Sequence, residues 1–228
     1  MTITESTTVG EIASALPASV RLFQRNGIDF CCGGRTPLAV ACEQQGLSFA
    51  DVASDIEALA AVPVPERRDW TEEPLPALID HILATYHAPL GEELPRLESM
   101  ASRVARVHGS KASFLHELEK TVMELSSELR GHMRKEETVL FPAIRAIAAG
   151  EAAMPVSAPI QVMQDEHDEA GALLATLRRL TSGYETPEWA CGTFRALYAG
   201  LAELESEMHM HVHLENNILF PRVLERAR

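Results

Sequence analysis

Apolar residues recur at spacings of three and four through four long stretches, roughly residues 75 to 106, 111 to 148, 158 to 182 and 187 to 226. That is the period of helices with one buried face. The breaks fall at His108-Gly109-Ser110, from Gly150 to Pro159 and from Gly183 to Pro187. No stretch shows the alternation of a half-buried strand, so the pattern predicts an all-α chain whose long segments form a four-helix bundle. Short connections make neighbouring helices antiparallel. Residues 1–61 repeat the pattern on a smaller scale. Pro17 opens one helix and Gly27 closes it, Thr36-Pro37 opens a second that Gly46 closes, and Ser48 with Asp51 starts a third. Between the first two lies Cys31-Cys32-Gly33-Gly34, read as a turn whose glycines can take positive φ. Prolines and charges then interrupt the helical pattern from Val62 to Pro76. The expected organisation is a small helical domain over 1–61, a linker over 62–74 and the bundle over 75–228.

Composition narrows the function classes. The 228 residues are 46% apolar, enough for a substantial core, and the formal charge is -13. Such an acidic chain lacks the clustered basic surface that a phosphate backbone needs, which argues against nucleic acid and anionic membranes as partners. Met1 to Gly10 has neither a basic start nor an apolar stretch, and no later run reaches bilayer length, so the expected location is the cytoplasm. Four cysteines, two of them adjacent, do not make a secreted disulfide framework.

The chemistry is carried by a segment written twice. His132-Met133-Arg134-Lys135-Glu136, followed by Val139-Leu140-Phe141-Pro142, returns as His211-Val212-His213-Leu214-Glu215, followed by Ile218-Leu219-Phe220-Pro221. His87 is matched in the same way by His167, and Gly91, Leu94 and Leu97 by Gly171, Leu174 and Leu177. The second half of the chain therefore reads as a duplicated helical hairpin. Four residues of helix turn by about 400°, so each His-x-x-x-Glu pair leaves one face one turn apart. A solvated i, i+4 pair has no reason to recur with the same apolar follow-on and a matched upstream histidine. Two histidines and one carboxylate per copy suit non-haem iron and leave positions open, and a second copy implies a second metal. If Glu136 and Glu215 both bridge, they supply four of about twelve octahedral positions, and four imidazoles and an oxygen bridge roughly six more. Zinc or manganese could take the same ligands. A ferritin-like arrangement is disfavoured, because no histidine has a glutamate three residues before it.

The remaining candidates carry less signal. His81 is about 120° off the face of His87, and His209 and His213 are turned about 160° from His211, which reads as solvated or supporting positions. His108 and His116 fall in or near a loop. Glu166, beside His167, is placed to move protons or loosen a metal, or is a surface acid. Cys31 and Cys32 are too close for two-ligand zinc spacing; they could form a vicinal disulfide or present one thiolate outward, or one is a small buried turn residue. The helix start at Thr36 and Arg35 beside it would favour thiolate. Cys42 and Cys191 read as packing residues.

On these residues the chain resembles a known family. The bundle is similar to hemerythrin-like domains. Joined to the N-terminal Cys-Cys module it resembles the RIC family, also called YtfE or ScdA, di-iron proteins of iron-sulfur cluster repair. The resemblance rests on Asp29-Phe30-Cys31-Cys32-Gly33-Gly34, His132-x-x-x-Glu136, Glu166-His167-Asp168-Glu169-Ala170-Gly171 and His211-x-x-x-Glu215-Asn216-Asn217. It implies two iron ions, oxygen-bridged, on His87, His132, Glu136, His167, His211 and Glu215, with a redox or iron-handling role for Cys31 and Cys32. It implies damaged iron-sulfur proteins as partners, a homodimer, and repair of clusters damaged by nitrosative or oxidative stress. Two other activities fit the same open site: binding and reduction of nitric oxide, since two ferrous ions could supply two electrons, and reversible binding or sensing of oxygen.

Overall fold

The computed structural model describes residues 3–61, 68–151 and 154–226. Of the expected linker, 62–67 lies outside the described residues. Among the described residues every regular element is helical, apart from an isolated antiparallel bridge between Thr8 and Pro37. No helix among them is long and apolar enough to cross a membrane. The chain divides into two compact units, 1–78 with 209–228, and 79–208.

The first unit holds helices α1 (Val9–Ala15), α2 (Val20–Arg25), α3 (Leu38–Gln44) and α4 (Phe49–Ala60). The sequence pattern did not predict α1. Its signal is Thr8-x-x-Glu11, a capping box in which Thr8 Oγ1 accepts from the Glu11 N–H and the Glu11 carboxylate accepts from the Thr8 N–H. Thr8→Ala should cost about 1 kcal/mol in chemical denaturation of the full chain, and an unchanged midpoint would show that the box holds nothing. Gly27 and Gly46 close α2 and α3 at φ of +66° and +67°, the left-handed region a Cβ disfavours. Val9, Ile12, Phe23, Ile28, Phe30, Leu38, Val52 and Ile56 form one buried cluster. Fully burying each such side chain contributes about 1.5–3 kcal/mol before entropy is counted.

The end of the chain belongs to this unit. There the last long helix, α10 (Gly192–His213), passes through a π-helical segment, Leu214–Leu219, into α11 (Phe220–Arg226). Arg222 fastens it to the residues ahead of α5 (Leu75–Ile82), donating to the carbonyls of Trp70 and Glu73 at 2.7 Å each.

The second unit is a four-helix bundle of α6 (Ala88–His108), α7 (Phe114–Lys135), α9 (Ser157–Leu180) and the first part of α10; α8 (Phe141–Ala148) extends α7. Neighbours are antiparallel. Glu98 of α6 meets Arg130 of α7, while His87, earlier in the chain, meets Glu137 further on. Likewise His132 of α7 meets Glu166 of α9, and Glu117 meets Arg179. Leu94, Leu97, Leu118, Leu125, Leu174 and Leu201 are among the buried residues between them. Arg178 Nε and Nη2 donate to the two oxygens of the buried Glu205 at 3.0 and 2.5 Å, so this carboxylate is paired in a fork.

Candidate metal centre

Within the bundle, four of the predicted site residues come together. His87, His132, Glu136 and His167 are all buried. The Nε2 atoms of His87 and His132 lie 3.4 and 3.3 Å from one oxygen of Glu136, and His167 Nε2 lies 3.1 Å from His132 Nε2. In the other unit His211 Nε2 lies 3.2 Å from Glu215 Oε1, with both side chains buried.

The backbone explains part of this placement. Three π-helical segments interrupt the α-helices, at Leu83–His87, Glu136–Leu140 and Leu214–Leu219. Each carries a candidate ligand: His87, Glu136 or Glu215. Each ends on a five-residue bond, from Ala88 N–H to the Leu83 carbonyl, from Phe141 to Glu136 and from Phe220 to Glu215. A proline follows one residue later in every case: Pro89, Pro142 or Pro221. Proline has no N–H, and its ring clashes with the carbonyl four residues back, so an α-turn at that place is penalised. Widening the turn by one residue relieves the conflict. π-turns of this kind gather at functional sites. The repeated Phe-Pro was visible in the sequence, but its meaning as a π-turn was not read from it.

Second carboxylates orient the imidazoles. His87 Nδ1 is 2.8 Å from Glu137 Oε1, and His132 Nδ1 is 2.9 Å from Glu166 Oε2. A carboxylate can only accept, so Nδ1 carries the proton in each ring and the Nε2 lone pair faces inward. Burial pushes the Glu166 carboxyl upward, but hydrogen bonds from Lys135 and His132 outweigh it and hold the group below the usual carboxylate range. Glu166 is half-buried and lines a cleft with Gly131, His132, Lys135 and His167, so the two buried imidazoles border a solvent-connected cleft beside it.

The cluster fits a metal ion. Glu136 is completely buried, and neither of its oxygens has a hydrogen-bond partner. A buried carboxylate left so is costly unless a cation meets it. The candidate donor atoms of His132, Glu136 and His167 lie within 4.8 Å of one another. Imidazole and carboxylate donors together suit first-row divalent metals.

Several sequence expectations change. His213 is not solvated: it is buried against Phe30, with ring centroids 5.6 Å apart, and burial pushes its imidazole down to about 4 although a Phe30 backbone bond opposes this. Neutral His213 Nδ1 accepts from Asn217 Nδ2 at 3.1 Å. His209 flanks the same phenyl ring, 6.1 Å away. His81 is half-buried and bonded to Thr85, apart from the cluster, as its angle predicted. Cys191 is an exposed residue, not a packing one, with Sγ 3.3 Å from His108 Nε2, whereas Cys42 is buried.

The Cys31-Cys32 turn also departs from expectation. Both cysteines are free thiols. The following helix begins only at Leu38, and the neighbouring Cys32 together with burial raises the Cys31 thiol instead of favouring its thiolate. Gly33 and Gly34 do not take positive φ. They are small because of what approaches them. A Cβ on Gly33 would lie 2.9 Å from the Asp29 carbonyl oxygen, and one on Gly34 would lie 2.1 Å from Asn217 Oδ1. Asn217 in turn donates to the carbonyls of Phe30 and Cys31 at 3.1 Å each. Neither spacing nor periodicity pointed to Asn217 for this role; its place in the family-like Glu-Asn-Asn run was the available signal.

Comparison with known proteins agrees with this architecture. A model of the hemerythrin HHE cation binding domain matches residues 78–223, and one of the ScdA_N domain, a domain of unknown function (DUF542), matches residues 5–60. Over 216 residues the chain is 43% identical to the iron-sulfur cluster repair protein YtfE of Pectobacterium atrosepticum, covering 95% of this chain and 96% of that one. It is 43% identical to the YtfE of Cronobacter sakazakii, over 95% of each chain. It is 41% identical to that of Escherichia coli O157:H7, over 95% of this chain and 96% of the other.

Proposed function

Because the chain belongs to the YtfE family, with its hemerythrin-type cation-binding bundle, we propose that it repairs iron-sulfur clusters damaged by nitrosative or oxidative stress, supplying or handling the iron. The observation that carries this reading is Glu136. It is a buried carboxylate with two unbonded oxygens, faced by imidazoles whose outer nitrogens are already tied to Glu137 and Glu166.

Two oxygen-bridged iron ions would be held by His87, His132, Glu136, His167, His211 and Glu215. The assignment of His211 and Glu215 to the same centre is supported by the duplicated segment, in which they repeat His132 and Glu136. When bound, iron supplies a redox-active centre with exchangeable positions. The chain's own residues do the rest. Glu137 and Glu166 keep the Nδ1 protons of His87 and His132 and so hold both rings in place. Glu166, bridging His132 and Lys135 at the cleft, can let go of the ring, which loosens the inner nitrogen's hold on a metal, or draw the proton from His132 Nδ1, which tightens it. Cys31 and Cys32 form the thiol site of the 1–61 domain, joined by the 62–74 linker to the bundle of 75–228. Clients are damaged iron-sulfur proteins in the cytoplasm, small ligands such as nitric oxide and oxygen reach the open positions, and the protein acts as a homodimer, which sedimentation of the full chain would test.

The deciding experiment gives the iron-loaded protein to a cluster enzyme inactivated by nitric oxide. Recovery should exceed that produced by an equal amount of free iron and should fall when both cysteines are replaced by serine. Recovery no better than free iron would overturn the reading.

A further inference from the structure

The thiol turn is more organised than two free cysteines require. Asp29 Oδ1 accepts the backbone N–H of Cys31 and of Cys32, each at 3.0 Å, and the Cys31 thiol at 3.2 Å; Oδ2 accepts the Gly33 N–H at 2.9 Å. Four donors thus converge on one side chain. From the other side Asn217 holds the carbonyl of Cys31. Cys31 is therefore fixed at its N–H, its carbonyl and its sulfur, and it is buried, with 6% of its surface exposed. Cys32 is half-buried and reaches solvent.

The electrostatics of Cys31 act in the same sense. A hydrogen bond to Cys32, burial, and the charges of Cys32 and Asp29 all push the Cys31 thiol well above the ordinary range. Every one of these influences keeps the proton on Cys31 and disfavours its thiolate.

We propose that Cys32 is the reacting thiol of the turn, and that Asp29, by holding the buried Cys31 thiol, is the positioning residue that sets the unequal roles of the two. The ligand class is a soft electrophile arriving from solvent: Cys32 loses its proton to water, its sulfur forms the new bond, and the leaving group departs with the displaced electron pair. This rests on the reading of the turn as a working thiol site.

The test uses the reduced full-length protein and iodoacetamide, with each cysteine followed by peptide mass spectrometry across a pH series. Exposed Cys191 and buried Cys42 are internal references. Cys32 should label about tenfold or more faster than Cys31. Asp29→Asn keeps an oxygen for the backbone donors but removes the charge, so the pH at which Cys31 begins to label should fall. Equal labelling of the two, faster labelling of Cys31, or an unmoved Cys31 profile in Asp29→Asn would overturn the assignment. Should Asp29→Asn expose Cys42, Cys31→Ala decides instead. Cys32 should then label at its wild-type rate, and loss of Cys32 labelling would overturn the proposal. No cluster enzyme enters this measurement, so failure of repair and failure of the thiol assignment are separately visible.

Discussion

Glu136→Gln should give a protein that scarcely holds metal yet is more stable than the wild type when both are metal-free. The two halves of this result share one cause. Glu136 is fully buried with neither oxygen hydrogen-bonded, and it faces His87 and His132 at 3.4 and 3.3 Å. Without a cation, the fold carries an uncompensated buried carboxylate, whose desolvation is unfavourable. Glutamine has the same shape, removes the charge and offers an N–H2 to the imidazole nitrogens. The metal-free form should gain about 1–3 kcal/mol, read as a higher thermal midpoint. The same change removes the negative charge of the proposed ligand, which lies within reach of both histidines. Replacing a residue that only supports a ligand costs about 10–100-fold in affinity, so the loss here should exceed about 100-fold. Metal per chain after anaerobic purification, compared across wild type, Glu136→Gln and Glu215→Ala, checks both carboxylates. Two irons in the wild type and little in the variants is the expected outcome. Undiminished iron in Glu136→Gln, or a less stable metal-free form, would show that this carboxylate is not a ligand.

Gly34→Ala should be nearly as disruptive, by a route that involves no metal. The added Cβ would sit 2.1 Å from Asn217 Oδ1 and 2.7 Å from Asn217 Cγ and Nδ2, closer than any real contact. Either the turn moves or Asn217 swings away and gives up its bonds to the Phe30 and Cys31 carbonyls and to His213. Overpacking of this kind costs about 1–3 kcal/mol, and the buried carbonyls left behind add about 1–3 more. Asn217→Ala alone forfeits the hydrogen bonds but opens the space. On that background Gly34→Ala should cost almost nothing, so the double variant should be more stable than the sum of the singles predicts by about 2 kcal/mol. Urea denaturation of the four proteins measures this. Additive losses would mean that the close approach does not constrain the turn.

Much of the architecture was legible because it depends on period and repetition. A 3.6-residue stripe cannot pack except as helix, and the recurrence of His-x-x-x-Glu with its matched upstream histidines singled out His87, His132, Glu136 and His167, which the structure gathers around one carboxylate. The π-turns escaped because one extra residue in a turn barely disturbs an apolar stripe of three-and-four spacings. Pro89, Pro142 and Pro221 were the available clue. His213 was misjudged for a different reason: its angle from His211 was right, but a helical wheel cannot say that Phe30, far away in sequence, covers the opposite face. Short α1 lacked the length for a periodic signal, and its capping box was the better evidence. The glycines of the thiol turn were read as conformational when they are steric, since only a fold shows Asn217 arriving beside Gly34.

The Asn217 contact also bears on modularity. The N-terminal helices look like a cassette that could be fused to any bundle, yet their thiol turn is keyed to a side chain two residues beyond Glu215. A chimera that transplants residues 1–61 onto a foreign bundle should assemble its own core and still leave Cys31 and Cys32 without their anchor, unless Asn217 is transplanted with them. In inheritance, therefore, the two ends of this chain form one unit, and substitutions at either end are compatible only in matched pairs.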